Sequence, residues 1–143
     1  MATEKRPDQT IKVKMPVTNS LGVKSSNKTL SAAYERYLRI ALKLPGTEVS
    51  VSYGTPSVKV KDKILSRLRS EAEGALAIRC DFIDREMLLQ ADPEAFFITE
   101  HYRNYPMILV RLDKVRADAL PDLVERAWRM QAPKKLVDEY DAK

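Results

Sequence analysis

A chain of 143 residues is long enough for one folded domain, and it is too short for two domains once a polar N-terminal segment is set aside. Hydrophobic residues make up 44% of it, an ordinary fraction for a globular core. The net charge is +5, but residues 1–29 hold six basic and two acidic residues, so the remainder carries only +1. The main domain is therefore not expected to attract nucleic acid over its whole surface.

Residues 1–29 are rich in Lys, Ser, Thr and Asn and hold few large apolar groups, which predicts a flexible basic arm. Its cations suit phosphates, anionic lipid or a protein partner equally well. Within it, Ile11–Met15 alternates with period two and could add an edge strand to this protein or to a partner. The segment lacks the apolar stretch of a signal peptide, and no apolar run is long enough to span a bilayer, so we expect a cytoplasmic protein without a membrane anchor.

The first half of the domain predicts one helix followed by strands. Apolar residues at helical spacing predict a helix over Ser31–Leu44, which Pro45 and Gly46 end. An alternating extended segment follows at 49–53, and residues 54–56 turn the chain. A hairpin is predicted over 58–69, then a turn at 71–74 and a third strand at 75–80. The only cysteine, Cys80, ends this third strand and is predicted to be buried and unreactive.

The second half predicts two further strands between helices. Asp81 caps a helix whose Met87, Leu88 and Ala91 are predicted to face inward, and Asp92-Pro93 ends it. Strands follow at 96–99 and 106–112. A third helix starts at an Asp118 cap and breaks at Ala132-Pro133, after which a last short turn reaches Tyr140.

The predicted order of elements is α-β-β-β-α-β-β-α over a single domain at residues 30–143. About five short strands linked mainly by hairpins indicate an antiparallel sheet. Helices with one apolar face each are expected to cover one side of it, which gives a two-layer α+β sandwich.

Several segments, in this order and spacing, resemble the MmcQ/YjbR family of small bacterial proteins described as DNA-binding. The segments that carry the resemblance are Leu44-Pro45-Gly46, Ser52–Pro56 with Val58–Val60, Ile64–Leu68, Phe96–Thr99, His101–Pro106 with Val110–Leu112, and Ala127-Trp128 with Ala132–Leu136. The match covers residues 31–136. The chain departs from the family pattern at Asn104, where glycine is usual, and at Met107, where an aromatic residue is common.

The resemblance implies a fold similar to that of type III secretion chaperones. It also implies a role in which two hairpin-like wings, a double wing, reach a DNA duplex. Fold alone does not determine function, so the residues that could form the wings have to be considered one group at a time.

The first candidate wing is the hairpin 58–69. Its cations, which could contact phosphates, are Lys59, Lys61, Lys63, Arg67 and Arg69. The alternative is a solvated face on which lysines protect a sheet edge from aggregation.

The second candidate wing is the segment His101–Tyr105, in which His101, Tyr102 and Arg103 combine stacking and phosphate-binding groups. The alternative is a loop whose tyrosines pack on the domain while Arg103 pairs with a nearby acid.

Catalysis is not expected, because His101 is the only histidine and no nucleotide-binding, metal-binding or nucleophile motif occurs. We therefore predict no cofactor and no metal site. The sequence favours a non-enzymatic protein that binds duplex DNA weakly and is monomeric. One alternative is a chaperone-like protein-interaction module, and another is a small-molecule binder or enzyme with a pocket around Tyr53, His101 and Arg103.

Overall fold

The structure is a computed structural model that describes residues 25–69 and 75–143. The predicted turn at 71–74 and the predicted arm up to residue 24 lie outside the described residues. Residues Arg36–Lys143 form one compact unit, which contains the whole sheet.

The sheet has six antiparallel strands in the order β1-β2-β3-β4-β6-β5. The elements in chain order are α1 (Ser25–Ala41), β1 (Thr47–Ser52), β2 (Thr55–Val60), β3 (Lys63–Arg69), β4 (Ala75–Arg79), α2 (Phe82–Ala91), β5 (Phe96–Phe97), a 3-10 turn (Glu100–Tyr102), β6 (Met107–Val110), α3 (Ala119–Gln131) and α4 (Lys134–Asp141). The predicted α+β class with an antiparallel sheet is confirmed. The strand count is six instead of about five, because residues 47–52 form a full strand paired with β2.

One face of the sheet carries most of the core. The register places Val58, Ser66 and Ile78 side by side on this face, and all three are fully buried. Tyr37 of α1 shares a hydrogen bond of 2.5 Å with Ser66, which satisfies both buried hydroxyls. Burial raises the pKa of the Tyr37 hydroxyl far above its ordinary value. In addition, α3 packs against β3 and β4 through an apolar stripe that includes the fully buried Trp128.

We call the opposite face the arginine face. Because side chains alternate along a strand, the register places on it Lys59 of β2, Arg67 and Arg69 of β3, and Ala75, Ala77 and Arg79 of β4. A cluster of buried residues covers part of this face, and Tyr102 of the 3-10 turn belongs to it together with Ala75, Ala77, Met107 and Leu109. The segment between β5 and β6 therefore folds back over the arginine face.

The turn between β1 and β2 consists of Tyr53 and Gly54, and it begins one residue earlier than predicted. Both residues have positive φ, 54° and 77°, as a two-residue type I′ hairpin requires. Glycine tolerates this geometry, whereas a bulky residue such as Tyr53 adopts it at a cost of about 1–3 kcal/mol. Thr55 and Pro56, predicted as part of the turn, instead begin β2.

Helix α2 differs from its prediction in the direction of its apolar side chains. Of the three residues predicted to face inward, Leu88 is half-buried, whereas Met87 is 64% exposed and Ala91 is also exposed. None of the side chains of α2 is fully buried. The predicted cap is present, since the carboxylate of Asp81 accepts a hydrogen bond of 2.7 Å from the backbone N–H of Asp84.

Candidate functional site

Arg67 lies at the centre of the arginine face and is held by neutral oxygens. Its Nη1 donates a hydrogen bond of 3.0 Å to Oγ1 of Thr55, and its Nη2 donates one of 3.3 Å to the hydroxyl of Tyr102. The guanidinium carbon also lies 5.3 Å from the ring centroid of Tyr53. Within the described part of the chain no carboxylate pairs with Arg67, so its position is fixed while its positive charge stays uncompensated.

The Tyr53 ring is 87% exposed beside this guanidinium group. An exposed aromatic ring held in a strained backbone conformation is an unusual combination, and strained residues concentrate at functional sites. The ring and the cation together present one flat apolar surface and one charge, which are the groups that stack on bases and contact phosphates.

Arg85 of α2 fixes the 100–105 segment on the arginine face. Its Nη1 donates to the carbonyl oxygens of Tyr102 (3.2 Å), Tyr105 (2.8 Å) and Met107 (3.2 Å), and its Nη2 donates to that of Arg103 (2.9 Å). One guanidinium group therefore binds four carbonyls, two of which, those of Tyr102 and Tyr105, also accept a backbone N–H within the loop. Tyr102 is buried as a result, and Arg69 lies 5.3 Å from its ring centroid.

The structure therefore brings together part of the two candidate wings. The Arg67–Tyr102 hydrogen bond joins β3 to the 100–105 segment, and Arg69 contacts the same tyrosine from the same side of the strand. Arg67 and Arg69 were predicted to belong to the first wing and Tyr102 to the second, and the structure places all three in one group.

The three lysines of the first wing lie apart from this group. Lys61 and Lys63 are exposed at the β2–β3 turn, and Lys63 precedes Arg67 by four positions, which is about 13 Å along β3. Lys59 is half-buried on the arginine face and lies directly opposite Glu48 of β1. The lysine tip and the Arg67 group are thus two separate positive regions of one hairpin.

The remaining residues of the second wing are exposed, and one of them is paired. Arg103 makes a two-pronged ion pair with Glu100, with N–O distances of 3.1 and 3.0 Å. His101 is exposed and contacts Tyr102 edge-on, with ring centroids 4.7 Å apart. The predicted alternative had Tyr102 and Tyr105 pack on the domain while Arg103 pairs with an acid. The structure agrees with it for Tyr102 and Arg103, but Tyr105 is 56% exposed.

Residue groups that could hold a metal are absent from residues 25–69 and 75–143, where no cluster of three His, Cys, Asp or Glu side chains has suitable geometry. Cys80 is buried, as predicted. Burial, together with the nearby carboxylates of Asp84 and Asp81, raises the pKa of its thiol to about 12. The thiol is therefore protonated at neutral pH and a poor nucleophile.

A family model described as YjbR matches residues 42–130, which is more than half of the chain. The chain belongs to the YjbR family. The matched residues run from the end of α1 to the last turn of α3, so they include all six strands, the Arg67 group and the 100–105 segment.

The relatives of this YjbR chain include uncharacterized proteins of Mycobacterium tuberculosis and Mycobacterium bovis. Each is 42% identical to it over 53 residues, which are 37% of this chain and 41% of the relative. The matched segment thus spans well under half the length of these relatives. Among solved structures, the crystal structure of Deinococcus radiodurans protein DR2400, with a DUF419 domain, has a TM-score of 0.59 and 20% identity over 68% of this chain and 76% of that one. At that identity the likeness shows a shared fold.

Two residues of the YjbR site were not singled out from the sequence. Thr55, the acceptor for Arg67, could have been found from the sequence. Tyr53-Gly54 stands between two alternating runs, a pattern that favours a two-residue turn, and such a turn places Thr55 in β2. Arg85 has no such signal, because its four acceptors lie 17 to 22 residues away in the chain.

Proposed function

We propose that this YjbR domain is a non-enzymatic protein that binds duplex DNA weakly, and mainly electrostatically, through the arginine face. The observation that carries the proposal is the state of Arg67. Its guanidinium group is held by Thr55 and Tyr102, yet no carboxylate among the described residues neutralises it. A phosphate oxygen would supply the anionic partner that the fold leaves out.

The surroundings of Arg67 suit a polyanion better than a small ligand. Tyr53 adds an exposed ring at the end of the β1–β2 hairpin. Lys61 and Lys63 extend positive charge to the β2–β3 turn, about 13 Å along the strand from Arg67. One strand of duplex DNA carries a phosphate for about every 3.4 Å of helix axis, so the two positive regions would contact different phosphates.

The strength of the contact follows from the small number of cations. Three or four phosphate contacts would give a plot of log K against log salt with a slope of about −3. The proposed interaction is therefore measurable at low salt and weak at physiological salt. Binding to DNA also accords with the predicted cytoplasmic location. No helix within the described ranges is both long and apolar enough to cross a membrane.

The experiment is fluorescence anisotropy of a labelled 20-base-pair duplex titrated with the full chain between 25 and 200 mM KCl. We expect affinity to fall steeply with salt. Replacing Lys59, Lys61 and Lys63 by Ala should flatten the slope by about two units, because Lys59 lies opposite Glu48 and Arg67 is retained. Binding at 25 mM KCl no tighter than that of a neutral control protein would exclude the proposal.

A further inference from the structure

Helix α2 presents apolar side chains to solvent. Ile83 is 76% exposed and Met87 is 64% exposed. Because they are four residues apart, they form one row along the outer side of the helix. Phe82, at the start of the helix, is also exposed, by 49%.

Polar contacts prevent α2 from turning this row inward. On the other side of the helix, Arg85 donates to the carbonyls of the 100–105 segment, and the carboxylate of Asp84 forms an ion pair of 3.3 Å with Arg126 of α3. These residues are half-buried where an amphipathic helix would carry its apolar stripe. The inner side thus holds these polar contacts together with the half-buried Leu88 and Leu89, and the row of Ile83 and Met87 has only solvent or a partner to face.

The outer side of α2 is bordered by negative charge. Of the charged residues in 81–94, Asp84 and Arg85 are engaged on the inner side, and the remaining four, Asp81, Glu86, Asp92 and Glu94, are all acidic. The Asp81 carboxylate accepts from a backbone N–H, and Glu86 accepts from Gln90 at 2.9 Å. Within residues 25–69 and 75–143, neither of these two carboxylates pairs with a cation.

We infer that the outer side of α2 docks a short basic amphipathic helix of another protein. The apolar row of Ile83 and Met87 would enter the groove between side-chain ridges of the facing helix, and lysines or arginines beside that groove would meet Asp81 and Glu86. A helix of 10 residues is about 15 Å long, so the partner segment need be no longer than three turns. An interface of this size gives a weak, exchangeable contact.

This docking surface is independent of the proposed DNA contact. It has the opposite charge from the arginine face, and its apolar row does not include Tyr53, Arg67 or Tyr102. A basic partner held on α2 would not compete with DNA for these groups.

The experiment uses a labelled 14-residue helical peptide made of leucine on one side and lysine on the other, titrated with the full chain. We expect binding in the range of tens of micromolar. The double variant Ile83→Ser with Met87→Ser should weaken it at least tenfold, and Glu86→Gln should weaken it about threefold. A peptide with glutamate in place of every lysine should bind at least tenfold more weakly than the lysine peptide.

The matched control is the double variant Val49→Ser with Val51→Ser, because these β1 side chains are 56% and 68% exposed. It should leave peptide binding within twofold of the wild type, while circular dichroism confirms that each variant is folded. The inference is overturned if the valine variant weakens binding as much as the α2 variant. It is equally overturned if the glutamate peptide binds as well, or if the lysine peptide does not bind.

Discussion

Arginines on helix α3 and on strand β3 are held by different kinds of partner. Arg129 on α3 bridges the carboxylates of Glu125 (3.0 Å) and Asp141 (2.8 Å), and its neighbour Arg126 pairs with Asp122 at 2.8 Å. Arg67 on β3 donates instead to the hydroxyls of Thr55 and Tyr102. Both arrangements order a guanidinium group, but only the second leaves its charge available to a ligand.

This difference shows how a nearly neutral domain can still hold a positive site. On α3, Arg126 and Arg129 are each matched by a carboxylate one turn away and by another on a neighbouring helix, so their field is small beyond a few ångströms. Around Arg67, neutral oxygens provide the ordering without cancelling the charge. Net charge therefore predicts less about binding here than the identity of each arginine's acceptors.

The largest expected effect concerns Arg85, an arginine with neutral acceptors that is turned inward. Replacing it by Ala removes a donor from the carbonyls of Tyr102, Arg103, Tyr105 and Met107, of which those of Tyr102 and Tyr105 keep a backbone donor, and we expect the free energy of unfolding to fall by about 2 kcal/mol. Urea unfolding measures this. Arg103→Ala is the control, because Arg103 pairs with Glu100 at the surface and should cost no more than about 0.5 kcal/mol. Equal losses in both variants would mean that Arg85 does not hold the segment in place.

The next effect concerns the charge of Arg67. The variant Arg67→Gln keeps a hydrogen-bond donor near Thr55 and removes the charge, and we expect duplex affinity at 25 mM KCl to fall about tenfold, equivalent to about 1.4 kcal/mol. Arg129→Gln removes the same charge from the helical side and should change the affinity less than twofold. If the two variants weaken binding equally, only net charge matters and the comparison between the two kinds of arginine fails.

Regular elements with a strong apolar period could be predicted from the sequence. The stripe of α3, which runs from Leu120 to Trp128, is buried as predicted. The buried alternation of β4 was also expected, and in the structure both faces of this strand are covered. In these elements the burial of apolar side chains dominates the folding free energy, and the spacing of the apolar residues is enough to predict which side is buried.

Helix α2 could not be oriented from its apolar residues, because they occur on every side of it. Which side of the helix faces the domain is set by Arg85 and Asp84, whose partners lie in the 100–105 segment and in α3. The same limit applies to the candidate site. The alternation of side chains along a strand places Arg67 and Arg69 on one side of β3. Their contact with Tyr102, however, depends on the 100–105 segment folding back over the sheet, which no local sequence pattern encodes.

A smaller effect tests whether Tyr102 orders Arg67. The variant Tyr102→Phe removes one hydroxyl and keeps the buried ring, so the free energy of unfolding should fall by no more than about 1 kcal/mol. Arg67 would keep its charge and its bond to Thr55 while losing one of its two acceptors. We therefore expect duplex affinity to fall only about threefold, measured by anisotropy at 25 mM KCl. A loss as large as that of Arg67→Gln would contradict a purely orienting role.

The smallest effect concerns the helical side and its dependence on pH. The hydrogen bond from Arg129 lowers the pKa of the Asp141 carboxyl below its ordinary value of 3.8. A carboxyl whose pKa is lower in the folded state stabilises the fold above its ordinary pKa, and this contribution disappears as the pH falls through the lowered value. The difference in Tm between the wild type and Arg129→Gln should therefore be small but constant from pH 7 to 5, and should shrink below pH 4. Because both groups are exposed, added salt should reduce the same difference at neutral pH. A difference that persists unchanged at pH 2.5 would show that Arg129 stabilises α3 by packing along Tyr140, whose ring centroid lies 5.6 Å from the guanidinium carbon, instead of by its charge.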